Sequence, residues 1–277
     1  MKKAIRLLVF FFVSLFVLSA AATTIFVVIN RSKIERLIIA MASCTERVSV
    51  ASSARAPRIL FVGNSFTFCS MTPNTVSKIA SSLTNERPLV MQLVFPSYSL
   101  EDHYRKGRYQ ALLREQKFDY VVLQERSYLS LIGTASTIEY GQKMAELARQ
   151  SGARVFLFEI WADKNRPDDQ GKIDSNALLV ANKIGAQLVR IGDAFSYTKS
   201  RFPDIELYAE DGHHPSQYGS YLASCVLFHS LYNRTSLGAP VSIVYDFGFF
   251  HYPVIAVSPE AATKLQQVAE VFAQSRL

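Results

Sequence analysis

The stretch Ile59-Leu60-Phe61-Val62-Gly63-Asn64-Ser65-Phe66-Thr67 decides the fold. Four apolar residues without polar alternation read as a strand buried on both faces, and the glycine behind them lets the backbone turn sharply. Similar short runs return at Leu89–Phe95, Tyr120–Leu123, Val155–Ile160 and Leu188–Ile191. Between them lie segments with helical spacing, Thr75–Leu83, Leu100–Gln116, Ala135–Gln150 and Ile173–Ile184, and two further helices are expected at Gln217–Tyr232 and Pro259–Gln274. Strands alternating with helices predict one doubly wound α/β sheet. In such sheets ligands bind beyond the carboxyl ends of the strands, so the residues just after each run are the first candidates for chemistry.

Ser65 stands at such a corner, where a nucleophile would be placed, although Thr67 departs from the G-x-S-x-G elbow. Near the other end, Asp211-Gly212-His213-His214-Pro215-Ser216 precedes a long helical segment. The three-residue spacing lets Asp211 accept from one nitrogen of His214 while the other faces a serine. Pro215-Ser216 reads as a helix start that anchors the loop behind the histidine. A polar capping loop is the plain alternative. A metal site from Asp211, His213, His214 and His103 is the other, with no H-E-x-x-H pair to support it. His103 reads as a solvated histidine on a helix face near the site, and Glu101 and Asp102 as first-turn acids favoured by the helix dipole. Trp161, after the fourth strand, walls the pocket or packs. The aromatic stretch Ser242–Val257 reads as cover for the core, with a membrane-facing flap as its alternative.

Gly63-Asn64-Ser65 and the Asp-x-x-His-Pro of residues 211–215, with about 145 residues of alternating α/β pattern between them, resemble the SGNH (GDSL-like) hydrolases. The resemblance covers most of Arg58–Leu277. It implies a flavodoxin-like three-layer α/β/α sandwich with five parallel strands in the order 2-1-3-4-5. It also implies roles: Ser65 as nucleophile, His214 as general base and Asp211 as its orienting partner. Oxyanion donors would be the N–H groups of Ser65 and Ser97 and the amide of Gln124. Ser97 and Gln124 depart from the family, which usually has Gly and Asn at these places. The implied activity is a serine esterase acting on small acyl esters, including O-acetyl groups on an envelope glycan. An O-acyltransferase and a noncatalytic binding module of the same fold are the alternatives.

No G-x-G-x-x-G and no G-x4-G-K-[ST] occurs, and no cofactor is expected. Cys44, Cys69 and Cys225 lack the paired spacing of a zinc site or a disulfide framework. The chain of 277 residues carries a net charge of +7, which raises nucleic acid as a partner. Residues 1–56, however, hold eight basic and two acidic side chains, leaving 22 basic against 21 acidic in the rest. The body therefore shows no electrostatic sign of a phosphate-binding surface, and no nucleic-acid partner is expected. Leu7–Ile29 is 23 residues without a charge. As a helix it would be roughly 34 Å long, enough to cross a bilayer core. It reads as an anchor, with a signal peptide cleaved near Ala20-Ala21-Ala22 as the alternative, and with the body outside the cytoplasm in either case. The expected organisation is an anchor or signal over 1–30, a tether over 31–56 and a hydrolase domain over 57–277.

Overall fold

The computed structural model describes residues 47–48, 56–69, 71–246 and 251–273. The expected hydrophobic helix at Leu7–Ile29 and the tether apart from 47–48 and 56 lie outside the described residues. Among the described residues no helix is long and apolar enough to cross a membrane.

The strands are β1 (Arg47–Val48), β2 (Arg58–Gly63), β3 (Leu89–Val94), β4 (Tyr120–Leu123), β5 (Arg154–Phe158), β6 (Gln187–Val189), β7 (Ser242–Asp246) and β8 (His251–Ala256). The helices are α1 (Ser65–Phe68), α2 (Thr72–Thr84), α3 (Leu100–Lys106), α4 (Arg108–Glu115), α5 (Ser127–Ile132), α6 (Thr134–Gln150), α7 (Gln170–Ile184), α8 (Ile191–Arg201), α9 (Gln217–Tyr232) and α10 (Pro259–Ala273). A sheet of six strands runs β1-β3-β2-β4-β5-β6. Its five long-range neighbours β3-β2-β4-β5-β6 are all parallel, which is the expected 2-1-3-4-5 order. β1 adds an antiparallel edge, with Arg47 opposite Gln92, so part of the expected tether belongs to the sheet.

The central strand β2 shows why the apolar run is unbroken. Ile59, Leu60, Phe61 and Val62 are all fully buried. Because side chains alternate between faces, Leu60 and Val62 enter one core while Ile59 and Phe61 enter the other. The first core gathers Met91, Leu93, Val121, Leu123, Val155 and Leu157 under α3, α4, α6 and α7. On the other side α9 packs against α2, α8 and α10. Each fully buried Leu, Ile or Phe contributes about 1.5–3 kcal/mol, so two such layers leave the sheet no free face.

Three expected elements differ in detail. Leu100–Gln116 is two helices, because Gly107 takes a left-handed φ of 75° and ends α3. Ile191, expected at the end of a strand, starts α8. The stretch Ser242–Val257 holds β7 and β8, an antiparallel ribbon separate from the main sheet. Ile243, Val254 and Ile255 of that ribbon are buried, in keeping with core cover.

Candidate active site

The carboxyl end of β2 is braced from below. Asn64 leaves the strand in extended conformation and caps α1, its Oδ1 accepting from Phe66 N–H at 3.3 Å. Its Nδ2 donates to Tyr98 O at 2.9 Å, tying the turn to the loop after β3. Ser65 follows as the first residue of α1 and is half-buried. Neither its N–H nor its Oγ has a hydrogen-bond partner among the described residues. A Cβ on Gly63 would stand 2.6 Å from both Gln124 Oε1 and Thr67 Oγ1, so only glycine fits beneath the turn.

Gln124 is fully buried under the same turn. Its Oε1 accepts from Asn64 N–H at 2.9 Å and from the Thr67 hydroxyl at 3.0 Å. Its Nε2 donates to Glu125 O. An N–H can only donate, so the contact with Asn64 fixes which end of the amide is oxygen. Gln124, expected to offer its amide to an oxyanion, instead holds Asn64 and Thr67 through Oε1 and donates from Nε2 to Glu125 O. His103, expected in solvent, is 2% exposed. Its Nε2–H donates to Gly63 O at 2.8 Å, and burial pushes its pKa down to about 4. It is a second brace of the turn rather than a lining group. The acids beside it do what a first turn asks: Asp102 Oδ2 accepts from Ser99 N–H while Ser99 Oγ accepts from Asp102 N–H, a capping box.

Ser97 lies in the left-handed region with φ 61° and is exposed. This backbone explains why glycine is the usual choice there. Its N–H has no acceptor among the described residues. The N–H groups of Ser65 and Ser97, the expected oxyanion donors, thus both lack an acceptor among the described residues.

The histidine loop is held from two sides. Asp211 Oδ2 accepts from His214 Nδ1–H at 2.7 Å, and Oδ1 accepts from the backbone N–H of His213 at 3.0 Å and of His214 at 2.9 Å. Burial raises the Asp211 pKa, but the His214 ring and these two N–H groups outweigh it and draw the value to about 2. An ionised Asp211 keeps the His214 proton on Nδ1 and leaves Nε2 as the basic nitrogen. Ser216 Oγ caps α9 by accepting from Tyr218 N–H and Gly219 N–H, which fixes the chain just after His214.

From the other side comes the loop after β5. Trp161 Nε1–H donates to His213 O at 3.0 Å, Lys164 N–H to Gly212 O at 2.8 Å, and His213 Nδ1–H to Asp163 Oδ1 at 2.5 Å. Trp161 is buried and stacks on Phe195 with ring centroids 4.1 Å apart, so it packs and anchors rather than lining open space. Phe66, the residue after Ser65, joins the two halves. Its ring lies 4.8 Å from His213, 5.8 Å from His214 and 4.9 Å from Trp161. The ring of the residue after Ser65 therefore packs on His214, and no hydrogen bond joins Ser65 to His214 among the described residues. Catalytic hydrogen bonds are often long in a ligand-free protein and tighten when substrate arrives.

The alternative metal set does not assemble. Asp211 is committed to His214, His213 to Asp163, and His103 to Gly63 O. Asp163 was not singled out by the sequence, where an acid two residues after Trp161 carries no distinctive mark. Cys225 is fully buried, and burial pushes its thiol up to about 12, while Cys69 is partly exposed and neither forms a disulfide.

No family model and no curated protein matches the chain by sequence. Solved structures do. A candidate SGNH hydrolase from Slackia heliotrinireducens is 26% identical, with TM-score 0.57, over 64% of this chain and 100% of that one. A lipase/acylhydrolase from Enterococcus faecalis is 19% identical, with TM-score 0.52, over 64% and 96%. A psychrotrophic esterase from a Pseudoalteromonas species is 15% identical, with TM-score 0.51, over 64% and 97%. The fold is the one these SGNH-type hydrolases share, the family that the sequence motifs resemble. Within that class the chain is similar to proteins described as esterases, lipases and acylhydrolases.

Proposed function

We propose that the protein is a serine esterase that hydrolyses small acyl esters through Ser65, His214 and Asp211. The carrying observation is the Asp211–His214 pair, bonded at 2.7 Å, with the His214 ring packed on Phe66, the residue beside Ser65. In the first step Ser65 Oγ attacks the ester carbonyl and its proton passes to His214 Nε2. Asp211 stabilises the imidazolium, and the Ser65 and Ser97 N–H groups receive the oxyanion. The imidazolium then gives its proton to the departing alcohol, leaving an acyl-enzyme. Water attacks that ester, His214 takes its proton, and the acid is released with Ser65 restored. A sugar hydroxyl in place of water would make the reaction an acyl transfer, and an O-acetylated envelope glycan suits a body carried outside the cytoplasm by Leu7–Ile29.

The test is hydrolysis of p-nitrophenyl acetate by the wild type and Ser65→Ala. Ser65→Ala should lower kcat by about a thousandfold or more while leaving the unfolding transition in place. Equal turnover by the two proteins would overturn the assignment. A fluorophosphonate should label Ser65, and a wild type that resists labelling would favour a noncatalytic binding module. An acceptor-dependent product would mark the transferase.

A further inference from the structure

We propose that Glu159, Asp174 and Asp193 form a binding site for one hard divalent cation of the calcium class. One carboxylate oxygen from each residue lies within 4.8 Å of the others. The three come from separate elements at the carboxyl edge of the sheet. Glu159 directly follows β5 and extends its ladder, donating N–H to Val189 O of β6 at 3.1 Å. Asp193 sits in the first turn of α8, and Asp174 on α7.

An acidic cluster alone would say little, because hydrogen bonds or a neighbouring cation can satisfy it. The second observation is the state of Glu159. Its side chain is 1% exposed, and while Oε2 accepts from Asp193 N–H at 3.2 Å, Oε1 has no partner among the described residues. A carboxylate oxygen buried beside two further carboxylates and left without a partner is a costly arrangement that folded proteins seldom keep. A cation between the three would satisfy it.

Charge fixes the valence. Arg190 Nε donates to Asp193 Oδ2 at 2.6 Å and supplies one positive charge. Three carboxylates and one guanidinium leave −2, which one divalent ion balances. All the side-chain ligands are oxygens, the choice of calcium and magnesium rather than of softer metals. Calcium accepts an irregular set of carboxylates, whereas magnesium demands a near-octahedral shell and keeps most of its waters.

The site reaches the histidine loop through one side chain. Gln170 Nε2 donates to Asp174 Oδ1 at 2.6 Å, and Gln170 Oε1 accepts from Ala162 N–H at 2.7 Å, beside Trp161. A Cβ on Gly192 would come within 2.3 Å of Gln170 Nε2 and Ile160 O, so this joint is already closely packed. A bound ion would stiffen the loop that carries Trp161 and Asp163.

The experiment needs no turnover, so its outcome is independent of the esterase reading. The purified full chain, stripped with EDTA, is melted and titrated calorimetrically with CaCl2 and, separately, MgCl2. The expected result is one ion bound per chain, with Tm raised by about 5 °C at hundredfold excess over Kd. Glu159→Gln or Asp174→Asn should weaken binding at least about tenfold. Asp174, half-buried on a helix, is the variant to read if Glu159→Gln does not fold. A wild type indifferent to both ions, or binding unchanged in every variant that folds, would overturn the proposal.

Discussion

Ser97 carries the clearest single-residue tension in the site. At φ 61° a residue with a Cβ sits about 1–2 kcal/mol above its right-handed alternatives. Ser97 is the third residue of the turn Phe95-Pro96-Ser97-Tyr98, closed by Tyr98 N–H donating to Phe95 O at 3.3 Å, and such a turn after proline asks for a positive φ there. Ser97→Gly should therefore raise stability by about 1 kcal/mol by urea unfolding, less whatever the freer unfolded chain takes back. The N–H proposed as oxyanion donor is a backbone group and survives the change, so ester hydrolysis should persist. Ser97→Val, β-branched, should instead lower both stability and kcat. If Ser97→Gly destabilises the fold, the left-handed position is held for another reason. Gln124 makes the complementary point. Its buried amide accepts from Asn64 and Thr67 through Oε1 and donates to Glu125 O through Nε2, so a residue type shared with oxyanion donors is here part of the scaffold.

At the scale of elements, the active site is two loops clamped together. The loop after β5 grips Gly212 and His213 by three hydrogen bonds, two from or to backbone and one between the side chains of Asp163 and His213. Asp163→Asn keeps the size of the side chain and removes its charge, weakening the grip on the histidine segment without touching His214. Its expected effect is a fall in kcat of about tenfold with KM nearly unchanged, since misplacement of a catalytic group by a fraction of an ångström slows the chemical step. Equal kinetics in Asp163→Asn would show that Asp211 alone orients the loop. Little of this clamp was legible in the sequence. Asp211 and His214 lie three residues apart, so local spacing reveals them, whereas Asp163 and His213 lie 50 apart and meet only once the sheet has formed. The five parallel strands were legible because burial on both faces makes their runs mainly apolar, with Gln92 in β3 the buried polar exception. Helix α8 was not, since Ile191-Gly192-Asp193-Ala194-Phe195-Ser196-Tyr197 has weak helix propensity and is stabilised by burying Ala194, Phe195 and Thr198.

For the whole molecule, the division of charge between a basic leader and a near-neutral body leaves stability to buried groups rather than to surface charge. Two kinds of buried titratable group face each other across the pH scale. His103 is neutral in the fold, its pKa lowered from an ordinary 6.5 to about 4 by burial. The unfolded chain takes up that proton first, so stability is complete above pH 6.5 and falls as pH drops toward 4. Glu125 works in the opposite sense. Burial raises its pKa above 4.5, so the folded form holds its proton longer, and the stability this contributes is lost as pH rises past 4.5. Asp211, with its pKa drawn down from 3.8 to about 2, adds to the acid limb only at lower pH. His103→Gln keeps a donor for Gly63 O and has no proton to gain. Urea midpoints measured from pH 7.5 to 4.5 should diverge, the wild type losing stability relative to His103→Gln as pH falls because only its own fold excludes a proton at this position, with m-values unchanged. Parallel profiles for the two proteins would mean that the acid limb comes from carboxylates and that His103 is no longer buried where the chain begins to unfold.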